Sequence, residues 1–195
     1  VSDAKWALEC GVDAIGLVFA ESPRKVAVRD ARRIIRAVGP WVATVGVFVN
    51  EPLERLLRVV RETGLSAVQL HGDENPAYAK KIKSCRVIKA FRVSKKNDLS
   101  GVKGFPADCY LFDAKIPGLF GGTGRTFPWE ILKLKDWGVP VVISGGLNPR
   151  NVREAAKLLS PYGVEASSGV EKAPGRKDPL LVREFIQNAK NASKK

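Results

Sequence analysis

Two glycine-rich turns near the C-terminus have the composition of a phosphate grip. The first lies in Val139–Pro149, which reads V-P-V-V-I-S-G-G-L-N-P. Its apolar, β-branched front half reads as a strand buried on both faces. Gly145 and Gly146 follow, and with no Cβ they let the backbone turn tightly and come close to a ligand. Asn148 is placed to cap a helix starting near Pro149, so free N–H groups would point at an anion above the strand. A second stretch, Val164–Glu171 (V-E-A-S-S-G-V-E), repeats the arrangement one strand–helix unit later. It offers Ser167, Ser168 and Gly169 as further hydroxyl and N–H donors. Two such turns in succession suggest the phosphate site formed after the last two strands of a (β/α)8 barrel.

Other side chains suited to acid–base or polar chemistry lie at the ends of apolar runs. Asp113 closes L-F-D, immediately before the glycine-rich segment Lys115–Phe127. A carboxyl there can cap a loop or give up a proton to a ligand. Proton donation near neutrality requires burial, which a closing loop would provide. Gly121, Gly122 and Gly124 have the freedom such a loop needs. Gln69 and His71 alternate with Val68 and Leu70, so both point to one face of a strand. Cys10, Cys85 and Cys109 are odd in number and show no C-x-x-C spacing, which fits reduced core residues and neither a disulfide framework nor a zinc site.

Regular elements must hold these groups. Seven strands are expected at 12–19, 43–49, 67–70, 86–91, 109–113, 139–144 and 163–167. Eight helices are expected at 3–10, 30–38, 52–63, 76–83, 98–103, 128–137, 149–159 and 178–190. Uniformly apolar strands alternating with amphipathic helices imply a parallel sheet covered by helices. A doubly wound open sheet would carry its phosphate loop after the first strand as G-x-G-x-x-G, and nothing similar follows 12–19. A TIM-type (β/α)8 barrel with one strand absent is therefore expected.

The bulk numbers set the class. A chain of 195 residues, 45% hydrophobic, supports one domain with a real core, spanning 1–195. No apolar run approaches the roughly 18 residues of a membrane span, and no basic-then-apolar leader opens the chain, so a cytoplasmic location is expected. The net charge of +13 would suit nucleic acid or a small anionic substrate. Its cations are spread over helix faces: Arg32, Arg33 and Arg36 flank Ile34 and Ile35, and Lys80, Lys81 and Lys83 flank Ile82. That favours solvated helices over a nucleic-acid surface. Only 190–195 reads as a loose basic tail. The chain contains no methionine and opens on Val1, which is compatible with a start lying upstream.

Taken in order, several motifs resemble the phosphoribosylanthranilate isomerase family of tryptophan biosynthesis. They are D-A-I-G-L-V-F at 13–19, S-P-R at 22–24, V-G-V-F-V-N at 45–50 and V-Q-L-H-G at 68–72. F-D-A-K at 112–115, G-G-T-G-R-T-F at 121–127, S-G-G-L-N-P-x-N-V at 144–152, S-S-G-V-E at 167–171 and P-G-x-K-D at 174–178 complete the series. The resemblance covers essentially the whole chain. It implies a (β/α)8 barrel and an Amadori rearrangement of N-(5-phosphoribosyl)anthranilate to a carboxyphenylamino-deoxyribulose phosphate. It also implies general acid–base catalysis with no metal or organic cofactor, in a monomer or homodimer. Asp113 would be the general acid. Arg24 would meet the anthranilate carboxylate, which its planar fork suits better than a lysine would. Gln69 and His71 would line the substrate, and Gly145, Gly146, Ser167, Ser168 and Gly169 would hold the phosphate.

The family also opens on a strand reading close to K-I-C-G-I-T, whose cysteine is the general base. That motif is absent here, and it does not reappear near 190–195 as a circular permutation would require. The expectation is a feebly active chain, poorly soluble because the strands at 13–19 and 163–167 are left as open edges. Glu165 stands where relatives usually carry aspartate. Within enzymes the nearest alternative is another phosphate-binding barrel such as indole-glycerol-phosphate synthase, which would call on Lys89 and Lys115 at strand ends.

Overall fold

The computed structural model describes residues 1–114, 126–132 and 136–192. Seven parallel strands form one sheet: β1 (Ala14–Val18), β2 (Ala43–Phe48), β3 (Ala67–Leu70), β4 (Arg86–Val93), β5 (Cys109–Ala114), β6 (Val141–Ile143) and β7 (Gly163–Val164). They stand in chain order, so β1 and β7 are the sheet's edges. The sheet curls as TIM-type sheets do, and every strand delivers its C-terminal end to the same rim.

Among the described residues six α-helices accompany the strands: α1 (Ser2–Glu9), α2 (Val28–Val38), α3 (Leu53–Thr63), α4 (Pro76–Lys80), α5 (Val152–Leu159) and α6 (Pro179–Ala192). In α3 the buried residues are Leu56, Val59, Val60 and Thr63, a spacing that puts all four on one face. Gly64, at φ 72°, ends that helix by returning its N–H to the Val60 carbonyl.

Helices and sheet enclose two connected apolar layers. Leu17, Phe19, Phe48, Val68 and Leu70 pack between β1–β3 and the helices over them. Tyr110, Phe112, Ile143, Val152 and Phe185 do the same between β5–β6 and α5–α6. Phe105 and Ala107 touch both layers. Phe19 and Phe48 stack at 5.1 Å, a contact joining β2 to the loop after β1.

The expected count of eight helices is not met among the described residues. The segment expected at 98–103 is a single 3-10 turn, Lys96–Leu99. The Asp98 carboxylate holds it by accepting from the Ser94 and Lys95 amides, and left-handed Gly101 and Gly104 stop any extension. The segment expected at 128–137 is a 3-10 turn at Trp129–Leu132, beyond which 133–135 lie outside the described residues. The helix expected from Pro149 starts at Val152 instead, because Asn148 and Asn151 bind the local backbone. A short antiparallel hairpin, β8 (Glu171–Ala173) with β9 (Arg176–Lys177), had no signal in the sequence pattern. Lys190, expected at the join of the last helix and the basic tail, lies in α6 and donates to the Gly11 carbonyl.

Candidate active site

At the rim the β5–β6–β7 ladder places three polar residues side by side. Phe112 is in register with Ile143, and Ile143 with Val164. The next row is therefore Asp113, Ser144 and Glu165, continued by Ser144 N–H to Phe112 O and Glu165 N–H to Ile143 O, each at 2.8 Å. Residues in one row of a parallel sheet face the same side. Phe112 points outward to the helices, so Asp113 and Glu165 point inward.

Asp113 is 3% exposed and reaches across to the residue just past β3, where His71 Nε2 lies 3.0 Å from its Oδ2. Its Oδ1 accepts the Ala114 amide at 2.8 Å. Behind His71, the Gln69 amide nitrogen is 2.9 Å from Nδ1. With the Gln69 amide nitrogen donating, Nδ1 accepts and the ring proton sits on Nε2, directed at Asp113. Both ring nitrogens are thus committed, and His71 orients Asp113 with no lone pair left to act as a base. Sequence reasoning expected Gln69 and His71 on one face; the structure shows them as one hydrogen-bonded line ending on Asp113.

Burial pushes the Glu165 carboxyl above its usual range; the Asp113 charge adds to the rise, while the Lys177 ammonium opposes it. A carboxyl raised in the fold supports folding below its unfolded value and loses that contribution as pH climbs through the folded one. Urea titrations across pH should therefore show Glu165→Gln gaining stability relative to the parent between mildly acidic and neutral pH. A difference that stays flat across that window would remove the electrostatic account of Glu165.

The glycine turns are packed onto this acidic row. Gly145 and Gly146 both have left-handed φ, 82° and 67°, which side chains adopt at a cost. A Cβ on Gly145 would sit 2.8 Å from Asp113 Oδ1, and one on Gly169 would collide with the Leu147 carbonyl. The turn after β6 thus touches Asp113 on one side and the turn after β7 on the other. Ser168–Val170 form a 3-10 turn, and the Ser167 carbonyl accepts from Lys177 Nζ at 2.9 Å.

Arg24, in the loop after β1, grips Glu171 on both oxygens: Nε at 2.9 and 3.1 Å, and one terminal nitrogen at 2.7 Å. Lys177 Nζ donates to the same carboxylate at 2.9 Å. Burial alone would raise Glu171, but the bonds from Arg24 and Lys177 outweigh it and hold the carboxyl below its usual range. Neither Glu171 nor Lys177 was singled out by sequence as a site residue. Their partner Arg24 is 147 positions from Glu171, and no local pattern reports a pairing that distant.

The cysteines stand apart from the rim. Cys109 begins β5 at the opposite end, and burial pushes its thiol up to about 11. Burial raises the Cys85 thiol as well, and Cys10 caps the outer helix α1. Lys89 is not at the mouth: it is in register with Leu70 and Tyr110 on the helix-facing side. Gly121, Gly122, Gly124 and Lys115 lie outside the described residues. No described helix is long and apolar enough to cross a membrane.

A family description, N-(5'-phosphoribosyl)anthranilate isomerase, matches residues 1–188. A protein of that name from Trichlorobacter lovleyi is 49% identical over 192 residues, covering 97% of this chain and 93% of the relative. The crystal structure of phosphoribosyl anthranilate isomerase from Thermotoga maritima superposes with a TM-score of 0.89 at 43% identity, covering 97% of this chain and 94% of that one. A second isomerase structure, in complex with reduced 1-(o-carboxyphenylamino)-1-deoxyribulose 5-phosphate, gives a TM-score of 0.86 at 41% identity, covering 97% and 93%. The chain belongs to the N-(5'-phosphoribosyl)anthranilate isomerase family.

Proposed function

We propose that the rim described above binds N-(5-phosphoribosyl)anthranilate and that Asp113 starts its Amadori rearrangement, in tryptophan biosynthesis, by protonating the furanose ring oxygen. The observation that carries this reading is the placement of Asp113, a carboxyl buried at the inner rim against the glycine turn after β6. Ring opening produces a Schiff base. Removal of the proton on the adjacent sugar carbon gives an enol amine, and this collapses to the ketone. Gly145, Gly146, Ser167, Ser168 and Gly169 offer main-chain N–H groups and hydroxyls to the phosphate. Arg24 receives the anthranilate carboxylate, since the guanidinium matches that planar group.

The base is not among the described rim residues in this reading. His71 has no free lone pair, and Cys10, Cys85 and Cys109 lie away from the mouth. β1 and β7 are the edges of the described sheet, and the family's cysteine base stands on a strand that pairs with them. Turnover is therefore feeble without that strand and rises when it is supplied. Lys89 faces the helices and not the mouth, which disfavours the indole-glycerol-phosphate synthase alternative.

Binding can be measured separately from turnover. Calorimetry with the reduced carboxyphenylamino-deoxyribulose phosphate should show saturable one-to-one binding, strongly weakened by excess inorganic phosphate. No heat at millimolar ligand would end the proposal.

A further inference from the structure

We infer that Glu171 is a positioning residue that presents Arg24 to the carboxylate of the substrate's aromatic ring; the inference rests on the reading of Arg24 given above. A guanidinium has two edges able to make paired hydrogen bonds, one from Nε with a terminal nitrogen and one from the two terminal nitrogens. Glu171 takes the first edge, with Nε at 2.9 and 3.1 Å and Nη2 at 2.7 Å. Among the described residues no hydrogen bond engages Nη1, so the second edge is offered to an incoming group.

The support is built in several directions. The side chains of Glu171 and Arg24 are 4% and 18% exposed, so the pair is held in place by its surroundings. Lys177 donates both to Glu171 and to the Ser167 carbonyl in the turn after β7. Lys177 also stands between Glu171 and the turn after β7, so Arg24's partner has a second, independent cation against it. Gly175, at the tip of the β8–β9 hairpin, packs under Pro23; a Cβ there would lie 3.1 Å from the Pro23 carbonyl. Two cations against one carboxylate leave a single net positive charge, which one ligand carboxylate neutralises.

The opposite possibility is that Glu171 competes with the ligand for Arg24. The two differ in the sign of one measurement. Calorimetry would compare the reduced carboxyphenylamino-deoxyribulose phosphate with its phenylamino counterpart lacking the carboxylate, on the parent chain and on Glu171→Gln, Glu171→Asp and Arg24→Ala. Glu171→Gln should weaken the carboxylated ligand about tenfold, the scale of one charge-assisted hydrogen bond, and leave the carboxylate-free ligand unchanged. Glu171→Asp should restore part of the loss. Tighter or unaltered binding of the carboxylated ligand by Glu171→Gln overturns the inference, as does an equal loss for both ligands, which would mark a merely structural role. A selective loss in Arg24→Ala with none in Glu171→Gln removes Glu171 alone. Arg24→Ala binding both ligands as the parent does removes the Arg24 reading, and Glu171 with it.

Discussion

Replacing Asp113 by asparagine is expected to lower kcat by about 10²–10⁴-fold, the usual contribution of a positioned general acid, while the protein stays folded. The substitution keeps shape and removes the transferable proton. An asparagine oxygen can still accept the Ala114 amide that Asp113 Oδ1 accepts at 2.8 Å. Its nitrogen would then face His71 Nε2, now 3.0 Å from Oδ2. Moving the ring proton to Nδ1 and turning the Gln69 amide over would let that line run in reverse, so no buried group is left unpaired. Steady-state kinetics belong in a background carrying the eighth strand, where turnover is measurable, with binding of the reduced product analogue as the control. Unchanged kcat would remove Asp113 as the acid.

Lys89→Met is expected to destabilise the fold by about 3–5 kcal/mol, the cost of leaving one member of a buried pair uncompensated. Lys89 is 4% exposed and spends its three protons on Leu70 O (3.2 Å), Gly72 O (2.7 Å) and Glu74 Oε2 (2.8 Å). Burial pushes its ammonium below the usual range, and the Glu74 charge pulls it part of the way back. Glu74 in turn accepts the Asn50 amide at 2.8 Å and the Gly72 amide at 3.0 Å. The network pins the loop immediately after His71. In Lys89→Met the Glu74 carboxylate stays buried without its cation, whereas Lys89→Met with Glu74→Gln removes the charge and keeps an acceptor. Urea denaturation should show the double variant losing less than the single one. A single variant within 1 kcal/mol of the parent, the scale of a surface pair, would mean that the pair is solvated.

The parallel sheet was legible because strands buried on both faces leave apolar runs that polar helices and glycines punctuate. Asp113, Gln69 and His71 were legible for the same reason: a polar residue ending an apolar run has little reason to be there except to meet something at the rim. The two weak helices were over-read. Asp98 and the glycines at 101 and 104 favour a turn over propagation, and helix formation needs more residues than that segment offers. The helix expected from Pro149 begins later because Asn148 Oδ1 accepts the Arg150 amide and Asn151 Oδ1 accepts the Asn148 amide, which holds this stretch in a turn. Glu171 and Lys177 were beyond reach, since their meaning lies in a loop more than a hundred positions away. The inward turn of Glu165 follows from strand parity, but only after the register of β6 with β7 is fixed.

A crystal structure of the chain with the reduced carboxyphenylamino-deoxyribulose phosphate bound tests the shared mouth most directly. It should place the phosphate on the main-chain N–H groups of the two glycine turns, the sugar within hydrogen-bonding reach of Asp113, and the ring carboxylate on the free edge of Arg24. A ligand lodged elsewhere, or one that spans the turns without approaching Asp113, would contradict the account.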